Sequence, residues 1–206
     1  MGEVSAFVLA GGRSSRMGAD KAFLPLGGDS FLSIALCRAR AVCPEPLIVG
    51  EAARYAAFGM VVEDRFRGCG PLGGIHAALC ATKTEWNLML SVDLPLMVPD
   101  FLSWIVNEAI SGEQLVTVPR KNGRCEPLCA VYCPAALPVI EQALRAGDFK
   151  VDGVFAKVPT RYLSEADIRA AGFRDEIFRN VNTPEDYDLV KRQLRKSEFA
   201  GDKSAH

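Results

Sequence analysis

The chain has 206 residues, of which 49% are hydrophobic and 24% are charged, so it can bury a core and wholesale disorder is excluded. Its formal net charge of −1 gives no general attraction to nucleic acids or to anionic membranes. No run of about 18 apolar residues occurs, so we expect no membrane-spanning helix. These values predict a soluble globular protein without nucleic-acid or membrane partners.

The N-terminus and the cysteines predict a cytoplasmic location. Residues 1–4 contain an acidic residue and no basic segment, so we expect no signal peptide. The seven cysteines are odd in number and scattered along the chain, which is typical of reduced thiols rather than of a secreted disulfide framework.

Short apolar runs alternate with helical patterns in the first half of the chain. A predicted strand is followed by a loop rich in glycine and arginine, and further strands and helices then alternate. In chain order these predicted elements are a strand over 4–9, a helix over 31–42, a strand over 47–49, an alanine-rich helix, a strand over 60–62, a helix over 72–81 and a strand over 87–92. Strands that are apolar at successive positions and separated by helices predict a parallel sheet covered on both faces.

The second half adds an antiparallel element. Apolar runs over 115–118 and 128–132 flank the pair Asn122-Gly123, and Asn-Gly is the strongest short hairpin signal. Together the two halves predict a three-layer α/β fold, with a mostly parallel sheet and an antiparallel hairpin appendage.

Two more helices are predicted, over 134–146 and 184–194. The second has Thr183 as its N-cap, a proline at its first position and acidic residues in its first turn. The segment after it is small and polar and is expected to fray. We therefore predict one domain over residues 1–195 and a C-terminal tail over 196–206.

Ligands of such folds bind where strands end and loops lead into helices. The loop after the first strand combines adjacent glycines, which let backbone N–H groups approach an anion, with three cationic side chains that can bind phosphate oxygens. Its sequence is Leu9-Ala10-Gly11-Gly12-Arg13-Ser14-Ser15-Arg16-Met17-Gly18-Ala19-Asp20-Lys21. The loop predicts a triphosphate site, and the alternative is a surface turn with solvated cations.

The same loop carries a family signature. It resembles the pattern Leu-x-Gly-Gly-x-x-x-Arg-Met-Gly-x-x-Lys of the nucleotidyltransferases, and every fixed position is present. Further motifs follow in order at residues 62–64, 70–75, 92–95, 126–128 and 180–185. With these motifs the chain most closely resembles the molybdenum cofactor guanylyltransferases, over nearly its whole length.

The resemblance implies a Rossmann-like nucleotidyltransferase fold and a reaction. GMP would pass from GTP to the terminal phosphate of molybdopterin, or of its molybdenum-loaded form, and pyrophosphate would be released. The second pKa of a phosphate monoester is about 6, so the attacking group is already mostly dianionic and needs no general base. It needs neutralised charge and in-line alignment, which lysine, arginine, backbone N–H groups and Mg²⁺ supply.

The predicted catalytic and metal-binding residues lie at strand ends and in the first loop. Asp93 directly follows the strand over 87–92, where a carboxylate is well placed to bind a hard divalent cation. The resemblance implies that Asp93 holds Mg²⁺, with Asn182 as a second ligand. It also implies that Arg16, Lys21 and Asp93 are catalytic, the two cations neutralising the triphosphate. For Asn182 the alternative is that it shapes the turn before the last helix.

The resemblance also assigns residues to nucleotide binding. Backbone groups of 9–12 would hold the base and phosphates, and Asp64, after the third strand, would contact the nucleotide. The alternative for Asp64 is that it only turns the chain. The full predicted set is Leu9, Ala10, Gly11, Gly12, Arg16, Lys21, Asp64, Gly73 and Asp93.

The choice of base and the partners follow from the same resemblance. Gly11, Gly12 and the stretch 71–74 match the guanine-selective form. Gly50 departs from the family, because some guanylyltransferases have an Asn there that touches the nucleotide. The alternatives are transfer from CTP to molybdopterin, transfer from an NTP to a sugar phosphate, and a non-catalytic GTP-binding accessory protein. Molybdenum insertion proteins and molybdoenzyme accessory proteins are further candidate partners.

Overall fold

The structure, a computed structural model, describes residues 3–11, 20–66 and 68–201. Its strands are β1 (Val4–Leu9), β2 (Pro25–Leu26), β3 (Asp29–Ser30), β4 (Leu47–Val49), β5 (Val61–Val62), β6 (Trp86–Ser91), β7 (Val116–Lys121), β8 (Arg124–Cys125), β9 (Cys129–Tyr132) and β10 (Thr160–Leu163). Its α-helices are α1 (Phe31–Ala39), α2 (Ala52–Tyr55), α3 (Pro71–Ala81), α4 (Pro99–Ile110), α5 (Leu137–Arg145), α6 (Val151–Phe155), α7 (Glu165–Ala170) and α8 (Pro184–Gly201). Short 3₁₀ helices cover Lys21–Phe23, Pro134–Ala136 and Asp175–Phe178. Over these ranges, every helix is too short or too polar to cross a membrane.

The main sheet has the strand order β10–β7–β9–β6–β1–β4–β5. β1 is parallel to β4 and β6, β4 is parallel to β5, and β7 is parallel to β10. β9 runs antiparallel to both of its neighbours, β6 and β7. A separate small sheet pairs β2 and β3 in antiparallel fashion. The predicted mostly parallel sheet with a smaller antiparallel part is therefore confirmed.

The predicted hairpin turn joins β7 to β8. Lys121 pairs with Arg124 across it, and φ is 49° at Asn122 and 74° at Gly123. Two successive positive φ values are typical of the type I′ turn, whose twist matches that of the strands it connects. After β8 the chain enters the main sheet as β9, so the second apolar run of the hairpin is an internal strand of that sheet.

Helices cover both faces of the main sheet. Ala6 and Val8 of β1 pack into one hydrophobic cluster with α1 and α4, whereas Phe7 and Leu9 pack into another with α3 and α5. All four of these side chains are buried. A strand buried on both faces needs apolar residues at successive positions, which is the pattern that β1 shows in the sequence. The three-layer α/β prediction is confirmed.

The last helix is longer than its sequence pattern predicts. α8 continues to Gly201 and therefore runs into the segment 196–206, for which we expect a frayed tail. Residues 196–201 have helical backbone instead. The division into a domain over 1–195 and a tail stays a prediction.

The parallel strands bring their carboxyl ends to one edge of the sheet. Leu9 at the end of β1 pairs with Val49 of β4 and with Ser91 of β6, and Val49 also pairs with Val62 of β5. The segments that leave these four positions are those that we expect to carry the site. They lie where ligands bind in folds of this kind.

Helix α3 packs very closely against this edge. A Cβ atom on Gly73 would lie 2.6 Å from Asp64 Oδ2 and 2.7 Å from the carbonyl oxygen of Phe66. Asp64 Oδ1 accepts a hydrogen bond from the Phe66 N–H at 2.7 Å, so the carboxylate is held beside the first turn of α3, where negative charge is favoured. A Cβ atom on Gly74 would likewise lie 2.8 Å from Leu9 Cδ2. Packing against a backbone carbonyl therefore requires glycine at position 73, whereas a methyl group at position 74 would displace only the end of the Leu9 side chain.

We expect Gly73→Ala to destabilise the protein, although alanine favours a helix by about 1 kcal/mol over glycine. The added methyl group would collide with the Asp64 carboxylate and a backbone carbonyl, and such overpacking costs about 1–3 kcal/mol. Chemical denaturation measures the free energy of unfolding. In an Asp64→Ala background, where one colliding group is absent, the loss should be smaller. A stabilising effect of Gly73→Ala in the otherwise unchanged chain would contradict this packing.

Candidate active site

Three predicted site residues meet at the carboxyl edge of the sheet. The Lys21 Nζ donates hydrogen bonds to Asp93 Oδ2 at 3.2 Å and to Asn182 Oδ1 at 2.8 Å. Lys21 is the first residue of a 3₁₀ helix, Asp93 follows β6, and Asn182 precedes α8. Residues that are far apart in the sequence therefore form one cluster, in which an ammonium group lies between two oxygen acceptors.

Backbone hydrogen bonds hold Asp93 in place. Its N–H donates to Ser91 Oγ at 3.2 Å, and its carbonyl accepts from the Val181 N–H at 3.0 Å. The Val92 N–H donates to the Leu9 carbonyl at 3.3 Å, which ties the end of β6 to the end of β1. The position of Asp93 is therefore determined by the sheet and by the segment that leads into α8.

The start of α8 determines the position of Asn182. Asp186 Oδ2 accepts hydrogen bonds from the N–H groups of Asn182 at 3.0 Å and Thr183 at 2.9 Å, and the Asp186 N–H donates to Thr183 Oγ1 at 3.2 Å. This reciprocal arrangement is a capping box that satisfies N–H groups at the helix start. Asn182 thus takes part in the turn through its backbone, while its side chain contacts Lys21.

Burial and charge act in opposite directions on Asp93. Burial raises the pKa of the Asp93 carboxyl above its ordinary value, and the charge and hydrogen bond of Lys21 act to lower it. The side chain of Lys21 is only 12% exposed and that of Asp93 is 28% exposed. The Lys21–Asp93 pair is therefore partly withdrawn from water, which strengthens its electrostatic effects, whereas Asn182 lies on the exposed side of the cluster.

The oxygen atoms of the cluster fit a magnesium ion. Asp93 and Asn182 present a carboxylate and an amide oxygen to the same cationic group, and Mg²⁺ binds such hard oxygen donors. Over the described ranges, no group of three or more His, Cys, Asp or Glu side chains could hold a metal ion. Protein side chains alone would therefore leave several positions of the ion to water and phosphate, which is how Mg²⁺ is commonly bound.

The end of β1 is held by the neighbouring strand. The N–H groups of Ala10 and Gly11 donate to the Val49 carbonyl at 3.0 and 3.3 Å. These two N–H groups therefore already have partners in the sheet, and the nucleotide contacts expected for residues 9–11 stay predictions. Gly12 and Arg16 lie outside the described residues.

Asp20 and Tyr55, two residues outside the predicted site set, contact each other beside the first strand. Asp20 Oδ1 accepts a hydrogen bond from the Ala22 N–H at 3.1 Å and caps the 3₁₀ helix that begins with Lys21. The Tyr55 hydroxyl lies 2.8 Å from Asp20 Oδ2 and 3.0 Å from the Ala10 carbonyl oxygen. The cap could have been found from the sequence as an Asp before a helical turn, but the contact with Tyr55 has no local signal.

A second polar group lies near Asn182 in the chain. The half-buried Glu126 carboxylate lies near the side chains of Asn180 and Lys121. Burial raises the pKa of Glu126, and these two partners act to lower it. Glu126 lies shortly before β9. The residue that directly precedes β9, Leu128, accepts a hydrogen bond at its carbonyl from the Ser91 N–H at 2.8 Å. The carboxylate is therefore at the same edge of the sheet as the Lys21 cluster.

Residues 6–161 match the family described as MobA-like NTP transferase domain. This stretch includes Lys21 and Asp93, whereas Asn182 lies beyond it. The match therefore covers the first two members of the cluster and most of the sheet.

Relatives cover a longer part of the chain. It is 35% identical over 194 residues to a probable molybdenum cofactor guanylyltransferase of Pelotomaculum thermopropionicum, covering 93% of each protein. It is 33% identical to a protein of the same name from Carboxydothermus hydrogenoformans, covering 92% of this chain and 96% of the relative.

A solved structure shares the fold. The crystal structure of molybdopterin-guanine dinucleotide biosynthesis protein A from Archaeoglobus fulgidus matches with a TM-score of 0.82 and 24% identity, covering 93% of this chain and 99% of the other. The fold expected from the motifs is thus confirmed, and the family match and the relatives agree with it. The chain belongs to the MobA-like NTP transferases and, with its relatives, to the molybdenum cofactor guanylyltransferases, which are nucleotidyltransferase enzymes.

Proposed function

We propose that the cluster of Lys21, Asp93 and Asn182 is the centre at which GMP passes from GTP to the terminal phosphate of molybdopterin. The observation that carries the proposal is the Lys21 ammonium, which lies at hydrogen-bond distance from both oxygen acceptors. A cation and two hard oxygen ligands at a strand end are the groups that a triphosphate and its metal ion need. Pyrophosphate is the leaving group of this transfer.

The attacking phosphate needs no general base from the protein. Its second pKa is about 6, so it is mostly dianionic at neutral pH. The protein has to reduce repulsion between two anions and align them. His76, the histidine of the described ranges, is buried with its ring 4.9 Å from that of Phe66, and burial lowers its pKa. It is a buried packing residue of α3 and has no part in the proposal.

Cationic side chains neutralise the triphosphate in this proposal. Lys21 donates from its ammonium group to phosphate oxygens, and its low exposure strengthens that interaction. Arg16 adds a second cation, as the family resemblance implies. Gly12 contributes backbone contact to the same phosphates.

Asp93 and Asn182 are the residues that would hold Mg²⁺. The bound ion supplies positive charge to the phosphate oxygens. Asp64 and Gly73, which pack against each other at the first turn of α3, complete the nucleotide side of the proposed site.

The acceptor approaches from the side of Glu126 in our proposal. A carboxylate accepts hydrogen bonds from an amino group and a ring N–H, which a pterin presents side by side. The partial burial of Glu126 at the same edge of the sheet as the cluster supports this role.

Partners and location belong to the proposal as well. GTP and molybdopterin are the substrates, and molybdenum insertion proteins or molybdoenzyme accessory proteins would supply or receive the cofactor. All seven cysteines are free thiols in the structure, which supports a cytoplasmic location.

Transfer of label from GTP tests the reaction directly. With Mg²⁺ and molybdopterin, we expect the α-phosphate of labelled GTP to appear in a pterin dinucleotide together with free pyrophosphate. CTP in a parallel reaction should give little product. GTP binding without transfer would instead indicate an accessory protein, and product from CTP alone would change the base but retain the reaction class.

We expect Lys21→Ala to lower kcat/KM for GTP by about 10²–10³-fold, the loss typical when one donor to a transition-state oxygen is removed. Steady-state kinetics with both substrates measures the effect. Lys191→Ala is the matched control, because it removes a partly exposed lysine that is paired with Asp188 at 2.7 Å on α8. Turnover of Lys21→Ala at the level of this control would eliminate the proposed role.

We expect Glu126→Gln to raise KM for the acceptor by about 10-fold, since a hydrogen bond to a charged group is lost, and to leave KM for GTP unchanged. The substitution keeps the shape of the side chain but removes its charge. Varying the two substrates separately gives both constants. An equal rise in both KM values would mean that Glu126 supports the whole site rather than the acceptor alone.

A further inference from the structure

Tyr55 is a buried aromatic residue next to the first loop. It ends helix α2 and is 1% exposed. A Cβ atom on Gly50 would lie 2.6 and 2.7 Å from two carbon atoms of its ring. The ring therefore occupies the space that any side chain at position 50 would need.

The hydroxyl of Tyr55 lies between the two ends of the loop. It is 3.0 Å from the carbonyl oxygen of Ala10, which directly follows β1, and 2.8 Å from Oδ2 of Asp20, which directly precedes Lys21. One hydroxyl proton is thus shared between two acceptors from opposite sides of the loop. The carboxylate is the stronger partner, because it is charged.

Asp20 connects this hydroxyl to the catalytic cluster. Its other oxygen caps the 3₁₀ helix through the Ala22 N–H, and its side chain pairs with Arg54 Nη2 at 2.5 Å. The helix begins with Lys21, whose ammonium contacts Asp93. A displacement of Asp20 would therefore move the backbone from which Lys21 extends.

The hydroxyl remains a donor at physiological pH. Burial, and then the hydrogen bond and charge of Asp20, raise the pKa of Tyr55 above its ordinary value. The phenol therefore keeps its proton and can bridge the two acceptors throughout the neutral range.

We propose that Tyr55 is a positioning residue for nucleotidyl transfer: by bridging Ala10 and Asp20 it fixes the 3₁₀ helix that begins with Lys21 and so holds Lys21 in the cluster. Gly50 contributes to the same arrangement, because a glycine at this position leaves room for the Tyr55 ring. The inference rests on the proposed function in that the Lys21 cluster is taken as the place of GMP transfer. The bridge itself is a structural arrangement that can be measured without turnover.

The test uses Tyr55→Phe, which removes only the hydroxyl. We expect KM for GTP to rise by about 10-fold, the effect of losing a hydrogen bond to a charged group, while KM for the acceptor stays constant. We also expect faster hydrogen exchange of the amides at residues 20–24 in the absence of substrates. A general loss of folded protein would lower kcat alone and would change neither KM.

Thr160→Val is the matched control for stability. The Thr160 hydroxyl also lies near two acceptors, the carbonyl oxygens of Phe155 at 3.1 Å and Val158 at 3.0 Å, but at the opposite edge of the sheet. Its loss should lower the thermal midpoint without altering KM for GTP or the exchange of residues 20–24. Identical KM and exchange values in Tyr55→Phe and the control would overturn the proposal.

A double-mutant cycle adds an independent measurement. Gly50→Ala should displace the Tyr55 ring and reproduce the rise in KM for GTP. Because both changes break the same bridge, KM for GTP of the double variant should not exceed the higher of the two KM values of the single variants. Additive effects would show that Gly50 and Tyr55 act separately, against the proposal.

Failure of the proposed function would look different. If the unaltered protein transfers no GMP, the assignment of the reaction is wrong, and hydrogen exchange at residues 20–24 still reports on the bridge. If the unaltered protein is active and Tyr55→Phe changes neither exchange nor KM for GTP, the bridge has no positioning role.

Discussion

The arrangement of the site depends on one poorly solvated ammonium group. The Lys21 side chain is only 12% exposed, and a charge in such a place is costly unless it is paired and hydrogen-bonded. Its acceptors, Asp93 and Asn182, lie 72 and 161 positions further along the chain. These two acceptors meet the ammonium group only when the segments after β1, after β6 and before α8 reach the same edge of the sheet.

Backbone contacts bring these segments together. The end of β6 is bound to the end of β1, and the Val181 N–H joins the segment before α8 to the Asp93 carbonyl. Such bonds depend little on which side chains the segments carry. The fold therefore supplies the geometry of the edge, while Lys21, Asp93 and Asn182 supply its chemistry. This division agrees with the shared fold of a solved structure at only 24% identity.

Gly73 and Gly50 show that local sequence can explain only in part why a glycine stands at a position. From the sequence, Gly73 is interpreted as a nucleotide-pocket residue and Gly50 as the loss of a family contact. In the structure, a Cβ atom on Gly73 would collide with the Asp64 carboxylate. A Cβ atom on Gly50 would collide with the Tyr55 ring. Close packing explains both glycines, and neither neighbour can be recognised from sequence spacing.

The sequence by itself determined features that depend on neighbouring residues. The buried strand β1, the Asn122-Gly123 turn and the Thr183 cap all follow from local periodicity or backbone preference, and the motifs identified the family. Tertiary structure alone decided that β9 lies inside the sheet, that Lys21 meets its two acceptors and that Tyr55 bridges the ends of the loop. These contacts join residues that are distant in the chain, so they exist only once the packing of the whole domain has brought those residues together.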